Sequence, residues 1–117
     1  MNPELINEII NSLLDILPEN WLEIKVRLNT NENFFEMFFY VKVKNQWIYC
    51  FDLPKSYDIS MDEIDDIIDE LSDEYFNGDV AEYSSATIHC LNDGEFQISY
   101  EYGERLNFET WKEQNIN

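Results

Sequence analysis

The sequence predicts an α+β fold: a two-layer domain in which a five-stranded antiparallel sheet carries its helices on one face, in the order α-β-β-β-α-β-β. Three observations lead there. Apolar residues recur at helical spacing in two segments, they alternate with polar residues in the segments between, and the alternating segments are joined by connections too short for parallel crossovers.

The first helix opens at Asn2-Pro3-Glu4, where proline suits the first helical position, and Leu5, Ile6, Ile9, Ile10, Leu13, Leu14 and Leu17 supply its apolar stripe up to a stop near Pro18. From Trp21 the period becomes two. Leu22, Ile24, Val26 and Leu28 face one way, and Glu23, Lys25 and Arg27 the other. Asn29 to Asn33 reads as a turn, Phe34 to Lys44 as a second strand, and Trp47 to Phe51 as a third after a reversal at Asn45-Gln46. That reversal sets Val43 opposite Ile48, Val41 opposite Cys50, Lys42 opposite Tyr49 and Tyr40 opposite Phe51, which points Cys50 into the core.

Leu53-Pro54 closes the third strand. Ser60 followed by Glu63 forms a capping box that opens the second helix, and Gly78 marks its stop. The last strands run from about Tyr83 to Leu91 and from Glu95 to Tyr102 around Asn92-Asp93-Gly94, pairing Cys90 with Phe96, His89 with Gln97 and Ile88 with Ile98. Asn107 to Gln114 makes a short terminal helix. No repeat, linker or low-complexity stretch divides the chain, so residues 1–117 are expected to form a single domain.

Charge is distributed very unevenly over this framework. The 117 residues hold 25 Asp and Glu against 7 Lys and Arg, a net charge of −18, yet 15% are aromatic and 44% hydrophobic, so the acidity belongs to a folded body. Between Lys55 and Arg105 there is neither Lys nor Arg. On the second helix, Met61, Ile64, Ile67, Ile68, Leu71 and Tyr75 fill one arc, and Asp62, Glu63, Asp65, Asp66, Asp69, Glu70, Asp73 and Glu74 fill the opposite one. Like charges four residues apart each disfavour the helix by about 0.2–0.5 kcal/mol, and Asp73 and Glu74 sit at its unfavourable end. Two readings fit: a solvated acidic face, or a face whose counter-charge arrives with a basic partner.

Several function classes are excluded or disfavoured. Phosphate backbones require Lys and Arg, so direct nucleic-acid binding is not expected. No apolar run spans a bilayer, and the amino terminus lacks a basic region ahead of an apolar one; no membrane association and a cytoplasmic location are expected, with Cys50 and Cys90 as reduced, buried thiols. The acidic helix lacks the glycine turn of a Ca²⁺ loop, and one histidine with two cysteines facing away from it does not make a Zn²⁺ set. Neither a phosphate loop nor a serine elbow is present, and His89 and Cys90 point to opposite sides of a strand. The chain reads as a non-enzyme without cofactor, metal or catalytic residues.

The outer side of the second and third strands adds Phe38, Tyr40, Trp47, Tyr49 and Phe51 beside Lys42 and Lys44. Such a face is either covered by the chain's own end, through Leu106, Phe108 and Trp111, or left open as an aromatic anchor for a partner.

Pro18-Glu19-Asn20-Trp21 after the first helix, the Phe-rich strands, Leu53-Pro54-Lys55-Ser56-Tyr57 before the acidic helix, and the run from Gly94 to Tyr102 together resemble the YezG-type antitoxins, along nearly the whole chain. The resemblance implies a bacterial immunity protein encoded beside an LXG-type polymorphic toxin of contact-dependent competition, many such toxins being nucleases. It supplies no binding residues. The charge pattern supplies them: Asp62, Asp65, Asp66, Asp69, Glu70, Asp73 and Glu74, with Tyr40, Trp47 and Tyr49, are the expected contacts for a cognate toxin with a basic surface. The alternatives are a nucleic-acid mimic that inhibits another defence or restriction enzyme, and a metal-binding acidic module.

Overall fold

The structure, a computed structural model, describes residues 3–31, 34–57, 59–78, 84–104 and 106–116; within these, residues 3, 5, 6, 30, 31, 34, 35 and 71–78 are described by backbone alone. Along the chain lie α1 (Pro3–Leu14), β1 (Glu23–Asn31), β2 (Phe34–Val43), β3 (Gln46–Tyr49), a 3-10 segment (Cys50–Lys55), α2 (Met61–Gly78), β4 (Ser85–Leu91), β5 (Phe96–Glu101) and α3 (Phe108–Asn115). The sheet has five strands in the order β3-β2-β1-β4-β5, with every neighbour antiparallel.

The alternation read in the sequence decides the two faces. Ile24, Val26 and Leu28 pair with Val41, Phe39 and Met37 on one side and with Cys90, Ile88 and Ala86 on the other. All of them are buried, together with Ile9, Ile10, Leu13 and Ile16 and with Ile64 and Ile68 of α2. The inner face is therefore the core, closed by α1 and α2. Leu22, expected inside, is exposed because the ladder begins one residue later, at Glu23.

Four local expectations need correction. The first helix ends at Leu14 rather than near Pro18: Ile16 N–H bonds to the Leu13 carbonyl at 3.0 Å in a tighter turn, ahead of the residue whose helical conformation Pro18 disfavours. Asn29, Thr30 and Asn31 belong to β1, paired with Glu36, Phe35 and Phe34, rather than to the expected turn, whose remaining residues Glu32 and Asn33 lie outside the described residues.

The β2–β3 reversal uses Lys44-Asn45, both with positive φ (52° and 64°), as a two-residue hairpin turn requires. Val43 thus faces Gln46, Lys42 faces Trp47, Val41 faces Ile48 and Tyr40 faces Tyr49, a slip of two residues from the expected register. Because the side-chain period is two, the slip leaves every residue on its expected face. The third strand also ends early, at Tyr49. From Cys50 the chain curls into the 3-10 segment, which contains Pro54 and buries Leu53 completely.

Elsewhere the expected detail is present. Cys90, His89 and Ile88 pair with Phe96, Gln97 and Ile98, and Gly94 (φ 95°) supplies the left-handed residue of the three-residue loop. Cys50 and Cys90 are free and buried on the inner face. Tyr83, expected to open β4, lies outside the described residues.

Candidate docking surfaces: an acidic helix and an aromatic sheet face

The capping box fixes the start of α2: Glu63 N–H donates to Ser60 Oγ at 3.1 Å, and Ser60 N–H reaches Glu63 Oε2 at 3.4 Å. Ile64 and Ile68 are buried, Ile67 is half-buried, and Asp62, Glu63, Asp65, Asp66, Asp69 and Glu70 are all exposed. The side chains of Asp73 and Glu74 lie outside the described residues, while the backbone carries the helix on to Gly78. Burying an isoleucine stabilises by about 1.5–3 kcal/mol, so two of them outweigh the three described like-charge pairs (Asp62 with Asp66, Asp65 with Asp69, Asp66 with Glu70) at about 0.2–0.5 kcal/mol each. Packing wins, and the helix holds its carboxylates out in an unbroken row.

Among the described residues, ion pairing occurs elsewhere. Arg27 meets Glu101 at 3.6 Å, Lys42 meets Glu23 at 3.4 Å and Lys55 meets Asp52 at 3.0 Å, all off α2. Among the described residues no three His, Cys, Asp or Glu side chains cluster closely enough to hold a metal ion.

The outer sheet face is built differently. Trp111 of α3 is fully buried against it, edge-on to Phe38 (centroids 5.5 Å apart), beside Tyr40 (6.1 Å), and over the Arg27 guanidinium (5.3 Å), with its indole N–H donating to Thr87 Oγ1 at 2.8 Å. Two cations of β1 tie the same segment down: Arg27 donates to the Leu106 carbonyl at 2.7 Å, and Lys25 donates to the Asn115 carbonyl at the end of α3, also at 2.7 Å. Asn107 caps α3 by accepting from Thr110 N–H. The chain's own end thus covers Phe38 and Tyr40, both buried, and leaves Trp47, Tyr49 and Phe51 half-buried.

Those three stay close to the covered rings. Tyr49 lies 5.2 Å from Tyr40 and 5.7 Å from Phe51, and Lys25 and Lys42 both sit over Trp47, at 5.6 and 5.5 Å. A shallow hollow of about 490 Å³ opens among Tyr40, Trp47, Tyr49, Asp52, Phe108 and Lys112. Burial, with the negative charge around it, pushes the Tyr49 hydroxyl up to about 12, and burial pushes the Cys50 thiol up to about 11, so both remain protonated at neutral pH. His89 faces outward as expected and binds Glu23 Oε1 at 2.7 Å.

Of the residues expected to meet a partner, then, Asp62, Asp65, Asp66, Asp69 and Glu70 share one exposed helix face. Trp47 and Tyr49 line the opposite side of the sheet, with Tyr40 beneath Trp111 as their backing. The two groups are not brought together. Sequence reasoning missed Arg27, assigned to the polar side of β1 yet only 2% exposed; the signal for it was an aromatic terminal segment that needed a cationic and polar floor.

A small antiparallel sheet flanked by an acidic helix with an exposed carboxylate row and by a partly open aromatic face presents two surfaces of the kind that binding proteins use. Comparison with known proteins gives the family. Residues 3–117 match the family described as immunity protein YezG-like, and the chain belongs to that family. It is similar to the immunity protein YezG of Bacillus subtilis (29% identical over 112 residues, covering 88% of this chain and 72% of the relative) and to that of Bacillus spizizenii (24% over 108 residues, 85% and 67%). It is also similar to the type VII secretion system protein EsaG of Staphylococcus aureus (26% over 115 residues, 91% and 71%).

Proposed function

We propose that this protein binds a cognate toxin and neutralises it by laying the carboxylate face of α2 into a basic groove of that toxin, a nuclease being the activity such a groove fits best. The observation that supports the reading is the exposed row Asp62, Asp65, Asp66, Asp69 and Glu70, whose own chain supplies its described ion pairs elsewhere. In the sequence, Asp73 and Glu74 continue the same acidic pattern. Carboxylates placed where a nuclease expects phosphates form short, charge-assisted bonds with Arg and Lys, and the surrounding field raises the encounter rate by roughly 10- to 1000-fold at low salt. Inhibition by occupancy needs no chemistry from the inhibitor. Trp47 and Tyr49, backed by Tyr40, supply an aromatic anchor to any part of the toxin that reaches around the β3 edge. The toxin would be met in the cytoplasm, before it is exported or after it enters.

The triple variant Asp62→Lys, Asp66→Lys, Asp69→Lys tests the reading against the toxin encoded beside this gene. Association should slow by at least about tenfold at low salt, with a flattened salt dependence, because attraction has become repulsion. Unchanged association kinetics would falsify the docking role of α2. Capture of a restriction enzyme instead of a neighbouring toxin would move the same electrostatics to the role of nucleic-acid mimic.

A further inference from the structure

A second opening on the outer face has features that neither the acidic helix nor the Trp47 hollow explains. Because β3 is only four residues long, Glu36 and Phe38 of β2 have no strand on that side among the described residues, and a cavity of about 500 Å³ forms there under the start of α3. Its walls include the aromatic rings of Phe38, Tyr49 and Phe108, with Phe38 lying 6.3 Å from Tyr49 and 5.5 Å from Phe108. Glu36, exposed, stands at its rim, directly across the β1–β2 ladder from Asn29.

Asn29 is the telling residue. It lines the cavity, is only 6% exposed, and its Oδ1 finds no hydrogen-bond partner among the described residues. A buried acceptor left without a donor costs about 1–3 kcal/mol, a cost that a ligand bringing a donor removes. Arg27 also lines the cavity, but its guanidinium is bound to the Leu106 carbonyl, paired with Glu101 and stacked under Trp111, so its charge is answered within the fold.

We propose that this cavity receives an arginine side chain of the partner protein, its guanidinium donating to Asn29 Oδ1 and to the Glu36 carboxylate while its plane lies against the rings of Phe38, Tyr49 and Phe108. A flat cation with several fixed donors matches this set: an orphan acceptor at the base, a carboxylate at the rim and π faces between. Lysine offers the charge without the planar fork. The proposal rests on the reading that the protein docks on a basic partner and adds a recognition pocket on the side of the sheet opposite α2.

N-acetyl-L-arginine amide, titrated into the intact protein and followed by NMR, tests it. Saturable shifts of the Asn29 side-chain amide and of the Phe38, Tyr49 and Phe108 rings are expected, with N-acetyl-L-lysine amide binding more weakly. Glu36→Gln, at an exposed position that leaves folding intact, should weaken arginine binding about tenfold through loss of the charge-assisted bond. Absence of saturable shifts, equal binding of the lysine probe, or undiminished binding in Glu36→Gln each overturns the pocket. The toxin separates this proposal from the one it rests on. If the toxin is held by the wild type and by Glu36→Gln equally, with the α2 triple variant impaired, the pocket is wrong and the immunity role stands; if the arginine probe binds but the neighbouring toxin is never held, the immunity role is wrong.

Discussion

The two sides of this sheet solve opposite problems. The inner side is covered by repetition: isoleucines and leucines of α1 and α2 meet alternating apolar residues of the strands, and no single contact dominates. The outer side is covered by a few specific contacts, with one tryptophan, two cations of β1 and an asparagine cap holding α3 in place. Charge follows the same division. Lys25, Arg27 and Lys42 lie on the outer side and are answered there by carbonyls, carboxylates and rings, whereas the carboxylates of α2 look outward from the inner layer with their described neighbours carrying the same sign. Among the described residues, then, the cations of β1 and β2 are answered on one side of the sheet while the carboxylate row of α2 has no ion pair on the other.

The largest expected effect tests whether the outer cover really hangs on so few contacts. Trp111→Ala removes the ring over Arg27, the edge contact with Phe38 and the bond to Thr87, and should cost about 3–5 kcal/mol in urea unfolding. Part of that cost comes from leaving Arg27 without its stacking partner in a site only 2% exposed. Association with the toxin through α2, measured on the fraction that stays folded, should survive. A loss below about 1 kcal/mol would mean that α3 is a loosely held cover and that the contrast between the two sides is overstated.

The inner side was legible in the sequence because periodicity is all that it uses. Ile64 and Ile68 at helical spacing and Ile24, Val26 and Leu28 at strand spacing identify their own faces, and the parity of the hairpin protects that assignment even though the Lys44-Asn45 turn shifts the pairing by two. The acidic face of α2 was legible for the same reason. The outer side was not, because its decisive contacts join residues far apart in the chain: Arg27 with Leu106, Lys25 with Asn115, Thr87 with Trp111. Asn29 illustrates the limit. Asparagine reads locally as a turn residue, and only the ladder with Glu36 and Ser85 turns it into a buried acceptor beside a cavity.

A smaller effect probes how the acidic helix is held. Ser60→Ala removes the acceptor for Glu63 N–H, and should cost about 1 kcal/mol of stability by the usual worth of such a cap. The triple lysine variant of α2 should act weakly in the opposite direction on the free protein, since the repulsions of Asp65 with Asp69 and of Asp66 with Glu70 become attractions worth a few tenths of a kcal/mol each while positions 62 and 66 remain a like-charge pair. An α2 that gains stability while it loses its partner separates docking from folding. A variant that loses both would place those carboxylates in the fold instead.

The smallest effect sits on the outer face, at Glu23, where a carboxylate is matched rather than bare. Partial burial raises its pKa, but hydrogen bonds from His89 at 2.7 Å and Lys42 at 3.4 Å, and their charges, more than offset this and hold it below the ordinary value of 4.5. A carboxylate whose folded pKa is depressed stabilises the fold fully above its unfolded value and loses that contribution as pH falls through the folded one. Glu23→Gln should therefore be less stable than wild type by under about 1 kcal/mol, the scale of a partly exposed pair, near pH 6, and the gap should close as pH drops below the carboxylate range. A gap that persists unchanged at about pH 3 would assign the difference to packing of the amide and not to charge.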